Sequence, residues 1–275
     1  YFQNKLVYPG ADFNYRAGYK RPDDQALFAF TGKLGHWNGK AWLEPGWPNT
    51  GGDIAIFAFL DRQQRYWLYT FDHHVFLYSS NKWQEVYNSN PYWQTVIGEG
   101  PRGEVYLGTT ESYAKALKVY QEDQLKSIDL RTQEQKSAET QRKNRDSLYQ
   151  PPQITILDIQ KMGEKGLAIA SSVGLHWRFK DEDWDFIPLE QIPLKTMHDL
   201  MFQAKETEQG SDYLWVAGEP GLARLNLTQG ESRHWSSRTG LFTDRIMSLA
   251  QDDQDRVWLI SDTDQIGIYD LKTLK

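Results

Sequence analysis

The sequence predicts an all-β fold: a β-propeller of about six four-stranded antiparallel blades. Three observations predict it. The composition is rich in aromatic residues, short alternating segments are separated by polar turns, and one four-segment unit returns about every 40 residues.

The composition comes first. Aromatics make up 14% of the 275 residues, with 11 Trp, 15 Tyr and 12 Phe, and mean hydropathy is −0.68. Apolar material is therefore held in rings of wide contact area rather than in long aliphatic runs. Such rings suit pleated, half-buried surfaces. The length allows a sizeable core. Cysteine is absent, which excludes disulfides and cysteine-ligated metals. The formal net charge is −6 and the basic residues are scattered, so no nucleic-acid partner is expected. No apolar stretch approaches the roughly 18 residues that span a bilayer, so no direct membrane insertion is expected from this chain. Tyr1-Phe2-Gln3 resembles the tail of a tobacco-etch-virus protease site, and 1–3 reads as an expression-tag remnant. Any targeting segment or anchor would then lie outside this chain.

The alternation is clearest over residues 53–87. A run from Ile54 to Leu60 ends in the polar turn Asp61-Arg62-Gln63-Gln64, and Tyr66 to Tyr69 follows. After Asp72-His73 comes Val75 to Tyr78, then the turn Ser79-Ser80-Asn81, then Trp83 to Tyr87. Short alternating strands joined by polar turns read as an antiparallel meander.

The repeat follows. The unit recurs over 93–130, 154–188, 197–236 and, without a fourth segment, 245–271. Residues 26–30 and the two segments after them match strands two to four of one further unit. Phe28, Trp67 and Tyr106 are spaced by 39, and Trp215 and Trp258 by 43. Tyr106 and the matching Ala168 are 62 apart, which locates a polar insertion at 131–153, a solvated loop or a short exposed helix. One domain over 1–275 is expected. Lys5 to Tyr8 is expected to supply the strand missing from the last unit; the competing reading is a segment cut from a longer array.

Residues 240–273, GLFTDRIMSLAQDDQDRVWLISDTDQIGIYDLKT, resemble a two-component-regulator propeller repeat. The matching positions are Gly240, Leu241, Asp244, Ile246, Leu249, Asp252, Trp258, Ile268, Tyr269 and Asp270. Leu214, Trp215, Gly218, Gly221 and Leu222 match in the unit before, and Gly174 with Leu175 one unit earlier. Asp255-Arg256 and Ile260-Ser261 depart from the family pattern. The resemblance implies the ligand- or partner-sensing part of a sensor kinase, periplasmic or extracellular, with no activity of its own.

No catalytic constellation, metal set or cofactor motif stands out. His73 and His74 are adjacent, and adjacent strand residues face opposite sides, so one shared ion is not expected. The pairs His36-Trp37, His176-Trp177 and His234-Trp235 read as packing, with Trp between blades and His on the other side. The Asp252 and Asp181 turns lack calcium-loop spacing and read as ordinary turns. The candidate ligand-binding residues sit in the connections between blades: Trp47, Tyr92, Trp93, Phe242, Asp244 and Arg245. Aromatic platforms beside Arg and Asp suit a glycan or a protein surface.

The sequence therefore predicts a non-catalytic extracytoplasmic sensing or interaction domain that takes a glycan or protein ligand on one propeller face. The alternative is a lactonase-like or glycan-cleaving enzyme, with Asp53, Asp158, His198, Asp199, Asp244 and Arg245 near the axial strand starts.

Overall fold

The computed structural model describes residues 15–20, 26–30, 33–38, 40–48, 55–88, 95–179, 182–204, 212–252 and 254–271. Among the described residues, six antiparallel sheets follow one another along the chain. The first is β1 (Tyr15–Lys20), β2 (Ala26–Phe30), β3 (Lys33–Trp37) and β4 (Trp42–Leu43). The second is β5 (Ala55–Leu60), β6 (Tyr66–Thr70), β7 (His74–Ser79) and β8 (Lys82–Asn88). Next come β9 (Val96–Glu99), β10 (Val105–Gly108), β11 (Thr110–Ser112), β12 (Leu117–Gln121) and β13 (Gln124–Ile128). The helix α1 (Gln133–Arg145) precedes β14 (Gln153–Met162), β15 (Gly166–Ser171), β16 (Gly174–Phe179) and β17 (Asp185–Pro188). The fifth sheet is β18 (Thr196–Gln203), β19 (Tyr213–Glu219), β20 (Gly221–Asn226) and β21 (Ser232–Trp235). The sixth is β22 (Ile246–Gln251), β23 (Arg256–Ser261) and β24 (Ile266–Asp270).

Within each sheet the strands pair in chain order, with one exception. β11 leaves the third sheet and pairs with the start of β14, giving the fourth sheet the order β11-β14-β15-β16-β17. The buried Lys118 of β12 holds β11 from its own side, ion-paired with Glu111 and donating to the Lys115 carbonyl at 2.7 Å. The repeat positions Phe28, Trp67, Tyr106, Trp215 and Trp258 each fall in the second strand of a sheet, and Ala168 falls in β15, second after the added β11 is set aside. The first sheet also has the strand β1, absent from the sequence expectation. Residues 5–8, the expected donors to the sixth sheet, lie outside the described residues. The insertion at 131–153 contains α1, an exposed helix whose N-terminus is closed by reciprocal bonds between Thr132 and Gln135.

The chain divides into two compact units, one formed by residues 1–92 with 248–275, the other by 93–247. In the first, Leu27 and Leu34 pack with Ala58, Leu60, Leu68 and Phe76, joining the first two sheets. In the second, Tyr106, Leu117 and Val119 meet Ile154, Ile156 and Ile169, joining the third and fourth sheets. Leu175 and Trp177 then meet Leu200, Leu214, Val216 and Leu225, joining the fourth to the fifth. One four-stranded sheet cannot bury its own apolar faces, and each fully buried aliphatic side chain contributes about 1.5–3 kcal/mol. Stacking successive sheets face to face supplies that burial.

Two hairpins show how closely the repeat is kept. Asp61 and Asp252 each accept, on Oδ1, the backbone N–H groups two and four residues on, at 2.9–3.0 Å. On Oδ2 each accepts an arginine Nε at 2.7 Å and a tryptophan indole N–H: Arg65 and Trp67 at 2.9 Å, Arg256 and Trp258 at 2.8 Å. The shared spelling is Asp-x-Gln-x-Arg-x-Trp. Trp67 is fully buried, so its N–H needs an acceptor. Burial alone would raise the Asp252 carboxyl, but bonds from Trp258, Arg256 and Gln254 hold it far below the usual range. In the fifth sheet Gln203 takes the aspartate's place, accepting the Trp215 indole N–H at 2.8 Å.

Candidate functional site

The site is one end of the fifth sheet in the second unit, where β18 begins and β19 turns into β20. The turn is Glu219-Pro220-Gly221, and Gly221 has φ of 91°. That left-handed conformation suits glycine, and a Cβ there would overlap the Trp235 carbonyl oxygen. Gly174 stands at the matching start of β16, where a Cβ would overlap the Ile187 carbonyl oxygen. At Gly174-Leu175 and Gly221-Leu222 the glycine is thus a close backbone contact and the leucine is fully buried.

Against this turn lies the connection from β21 to β22. Ser236 and Thr239 cap a single helical turn, Gly240 closes it with φ of 107°, and Leu241 buries its side chain. Asp244 then fastens the loop. Its carboxylate accepts from Ser237 N at 2.6 Å and Ser237 Oγ at 2.8 Å, and its carbonyl accepts the Gly221 N–H at 2.6 Å. The backbone bond from Ser237, then its hydroxyl, hold the Asp244 carboxyl below its ordinary value. His234 Nε2 bonds the Pro220 carbonyl from the other side. The outcome is a fixed loop that presents Arg245, whose Nε is 3.4 Å from Glu219 Oε2. Both side chains are open to solvent, at 56% and 41% exposure. Phe242 is partly buried on the same loop.

The inner strands add two carboxylates. β14 and β18 carry irregular pairing just before Asp158 and Asp199, as β1 and β5 do at the same point of their sheets. Such bulges re-aim the side chains beside them. Asp158 Oδ2 and Asp199 Oδ1 both accept the Leu200 N–H, at 2.9 and 2.8 Å. His198 bonds the Ile246 carbonyl through Nδ1 at 2.9 Å and Thr196 Oγ1 through Nε2 at 3.2 Å.

Three of the residues singled out in the sequence, Phe242, Asp244 and Arg245, are therefore on one loop, and Asp244 is its fastener. Trp47 belongs to the first unit, where it is partly buried against the Leu27 core. Tyr92, Trp93 and Asp53 lie outside the described residues. His73 bonds Tyr69 OH at 2.8 Å, and His74 Nδ1 is 3.1 Å from Glu85 Oε1. No group of three metal-ligating side chains occurs among the described residues. In the His-Trp pairs, His36 is buried and bonds Tyr66 OH at 2.8 Å, while Trp37 is 39% exposed, the reverse of the packing expected. His176 is fully buried, and burial pushes it down to about 4, so it is neutral at neutral pH.

No family model matches the chain, and no curated protein matches it in sequence. Solved structures match it in fold. The extracellular domain of the hybrid two-component system BT3049 from B. thetaiotaomicron aligns over 98% of this chain and 35% of its own, at a TM-score of 0.63 and 12% identity. Virginiamycin B lyase from Staphylococcus aureus aligns over 99% and 89%, at 0.60 and 11%. YCF48 bound to D1 peptide aligns over 96% and 81%, at 0.58 and 11%. The fold is a β-propeller. The chain spans about a third of the BT3049 domain, and at these identities the likeness is one of fold. Among the described residues no helix is long and apolar enough to cross a membrane.

Proposed function

We propose that this propeller is a non-catalytic extracytoplasmic recognition domain, the sensing part of a bacterial two-component system, that takes a glycan or a protein segment at the Glu219–Arg245 end of the fifth blade. The observation that carries the reading is an exposed ion pair between Arg245, on a fastened loop, and Glu219, at the end of β19. Recognition gains from groups that need no ordering at the moment of binding, and Arg presents a planar fork of donors to hydroxyl or carbonyl oxygens. The likeness in fold to extracellular sensor domains supports the assignment to sensing. Two measurements test it. The reading frame containing this chain is expected to encode a membrane-spanning helix and a kinase module; a frame with neither overturns the sensor role. A panel of oligosaccharides and peptides, read by tryptophan fluorescence, is expected to give at least one saturable ligand whose affinity falls about tenfold in Arg245→Ala. Equal binding by that variant removes the site.

A second reading rests on Asp158 and Asp199. Two carboxylates converging on one N–H are a possible acid–base pair for a propeller enzyme, and the lyases share the fold. Turnover of a streptogramin or a glycoside that disappears in both Asp158→Asn and Asp199→Asn would establish it; no turnover with either substrate class sets it aside.

A further inference from the structure

The opposite end of the fifth blade carries two cations with no anionic partner among the described residues. Arg224 of β20 and Arg233 of β21 are direct cross-strand neighbours. Like charges placed so are unfavourable, and no ion pair or hydrogen bond to either guanidinium occurs among the described residues. Arg224 instead lies among rings, 4.4 Å from the Tyr213 centroid, 5.3 Å from Trp215 and 5.7 Å from Trp235. Trp215 and Trp235 stack on each other at 5.4 Å. Burial pushes the Arg224 pKa down; the Tyr213 hydroxyl opposes this and the Arg233 charge adds to it. The rings crowd the guanidinium, and no group among the described residues accepts from its N–H donors. In front of it is an open cleft of about 330 Å³, lined also by Asn226, Glu231 and Ser232. That is the lower range of small-molecule sites. Asn226 is committed to its own turn, accepting from Thr228 and Gln229 N–H and donating to Gln229 Oε1. Glu231, the one carboxylate of the lining, is within ion-pair distance of neither arginine.

We propose that this cleft binds the oxyanion group of a small ligand, a carboxylate, sulfate or phosphate, between the Arg224 fork and Arg233. An oxyanion would relieve the cation pair and fill the Arg224 N–H edge with charge-assisted bonds. Tyr213 offers a face on which a ring attached to that group can lie.

Isothermal titration with sodium sulfate, inorganic phosphate and sodium glucuronate, at constant ionic strength set with chloride, tests this. Saturable binding is expected for at least one probe, and the strongest of the three identifies the source of the oxyanion. Arg224→Gln and Arg233→Gln are each expected to weaken it about tenfold or more. Arg233 is exposed, so its variant keeps the test meaningful if Arg224→Gln fails to fold. Arg142→Gln, on the exposed helix α1, is expected to bind as the parent does. No saturable binding of any probe, or full binding by Arg233→Gln, overturns the proposal.

Discussion

The two ends of the fifth blade are built from the same four strands and differ in how their polar groups are used. At the β19–β20 end nearly every group has a partner. Gly221 N–H meets Asp244, Asp244 meets Ser237 twice, and Arg245 meets Glu219. At the opposite end Arg224 and Arg233 face each other, and one of them is held by aromatic rings alone. The first end is fixed by its own bonds; the second is fixed by stacking and left with bonding capacity to spare. Rigidity and saturation are thus separate properties, and a strand end can have the first without the second.

Substitutions break or sharpen that contrast. The largest effect is expected at the turns. Gly221→Ala places a Cβ against the Trp235 carbonyl at φ of 91° and should cost about 3 kcal/mol, read by thermal or urea unfolding. Gly230, in the turn of the other end, has φ of 70° and open space around it, so Gly230→Ala should cost only about 1 kcal/mol. Equal costs would remove the distinction between a crowded end and an open one. Asp244→Asn comes next, with a lower melting temperature at neutral pH. The folded carboxyl titrates below its unfolded value. The stability it adds is therefore complete above the unfolded value of about 3.9 and is lost as pH falls through the lower folded one. The melting-temperature gap between parent and variant should accordingly close as pH drops below about 4, and a gap that widens in acid contradicts the fastening role. The smallest effects belong to the exposed arginines. Arg245→Ala should cost under about 1 kcal/mol, because exposed pairs are screened. Arg233→Ser should cost nothing or stabilise by a few tenths, because it removes a repulsion of about 0.2–1 kcal/mol. A clear loss in Arg233→Ser would show that the two cations are not in conflict.

Much of the frame was readable from the sequence. Trp67, Tyr106, Trp215 and Trp258 kept their spacing because each is the second-strand side chain of its blade. The Gly-Leu pairs were visible as a motif; the cause at Gly174 and Gly221, a carbonyl oxygen where a Cβ would be, came only with the coordinates. β1 was missed: the irregular pairing between Tyr15 and Ala17, together with Arg16, Gly18 and Lys20, blurs the alternation that marks a strand. β11 was missed because three polar residues carry no pattern, and its partner lies past the insertion. The acidic turn at Asp252 was read as a turn, but its bond to Trp258 was not foreseen. The twin spelling at Asp61 contained that information. At the site, Phe242, Asp244 and Arg245 were legible because they occupy one connection. Asp158 and Asp199 were both named near the axial strand starts, but their convergence on one N–H was not foreseen, since it depends on equal places in neighbouring units 41 residues apart. Arg224 opposite Arg233 needed the hairpin register.

The strand β11 has a further consequence. In a repeat array each unit normally meets the next through side chains alone, so its energy separates into unit and interface contributions, and segments can melt one at a time. Here a main-chain ladder from Thr110, Glu111 and Ser112 runs into the sheet that follows, and Lys118 pins it at the rear. Opening the third blade would strip backbone partners from the fourth. The pair should therefore exchange its amide hydrogens as one cooperative block, a double-length unit set within an array of single ones.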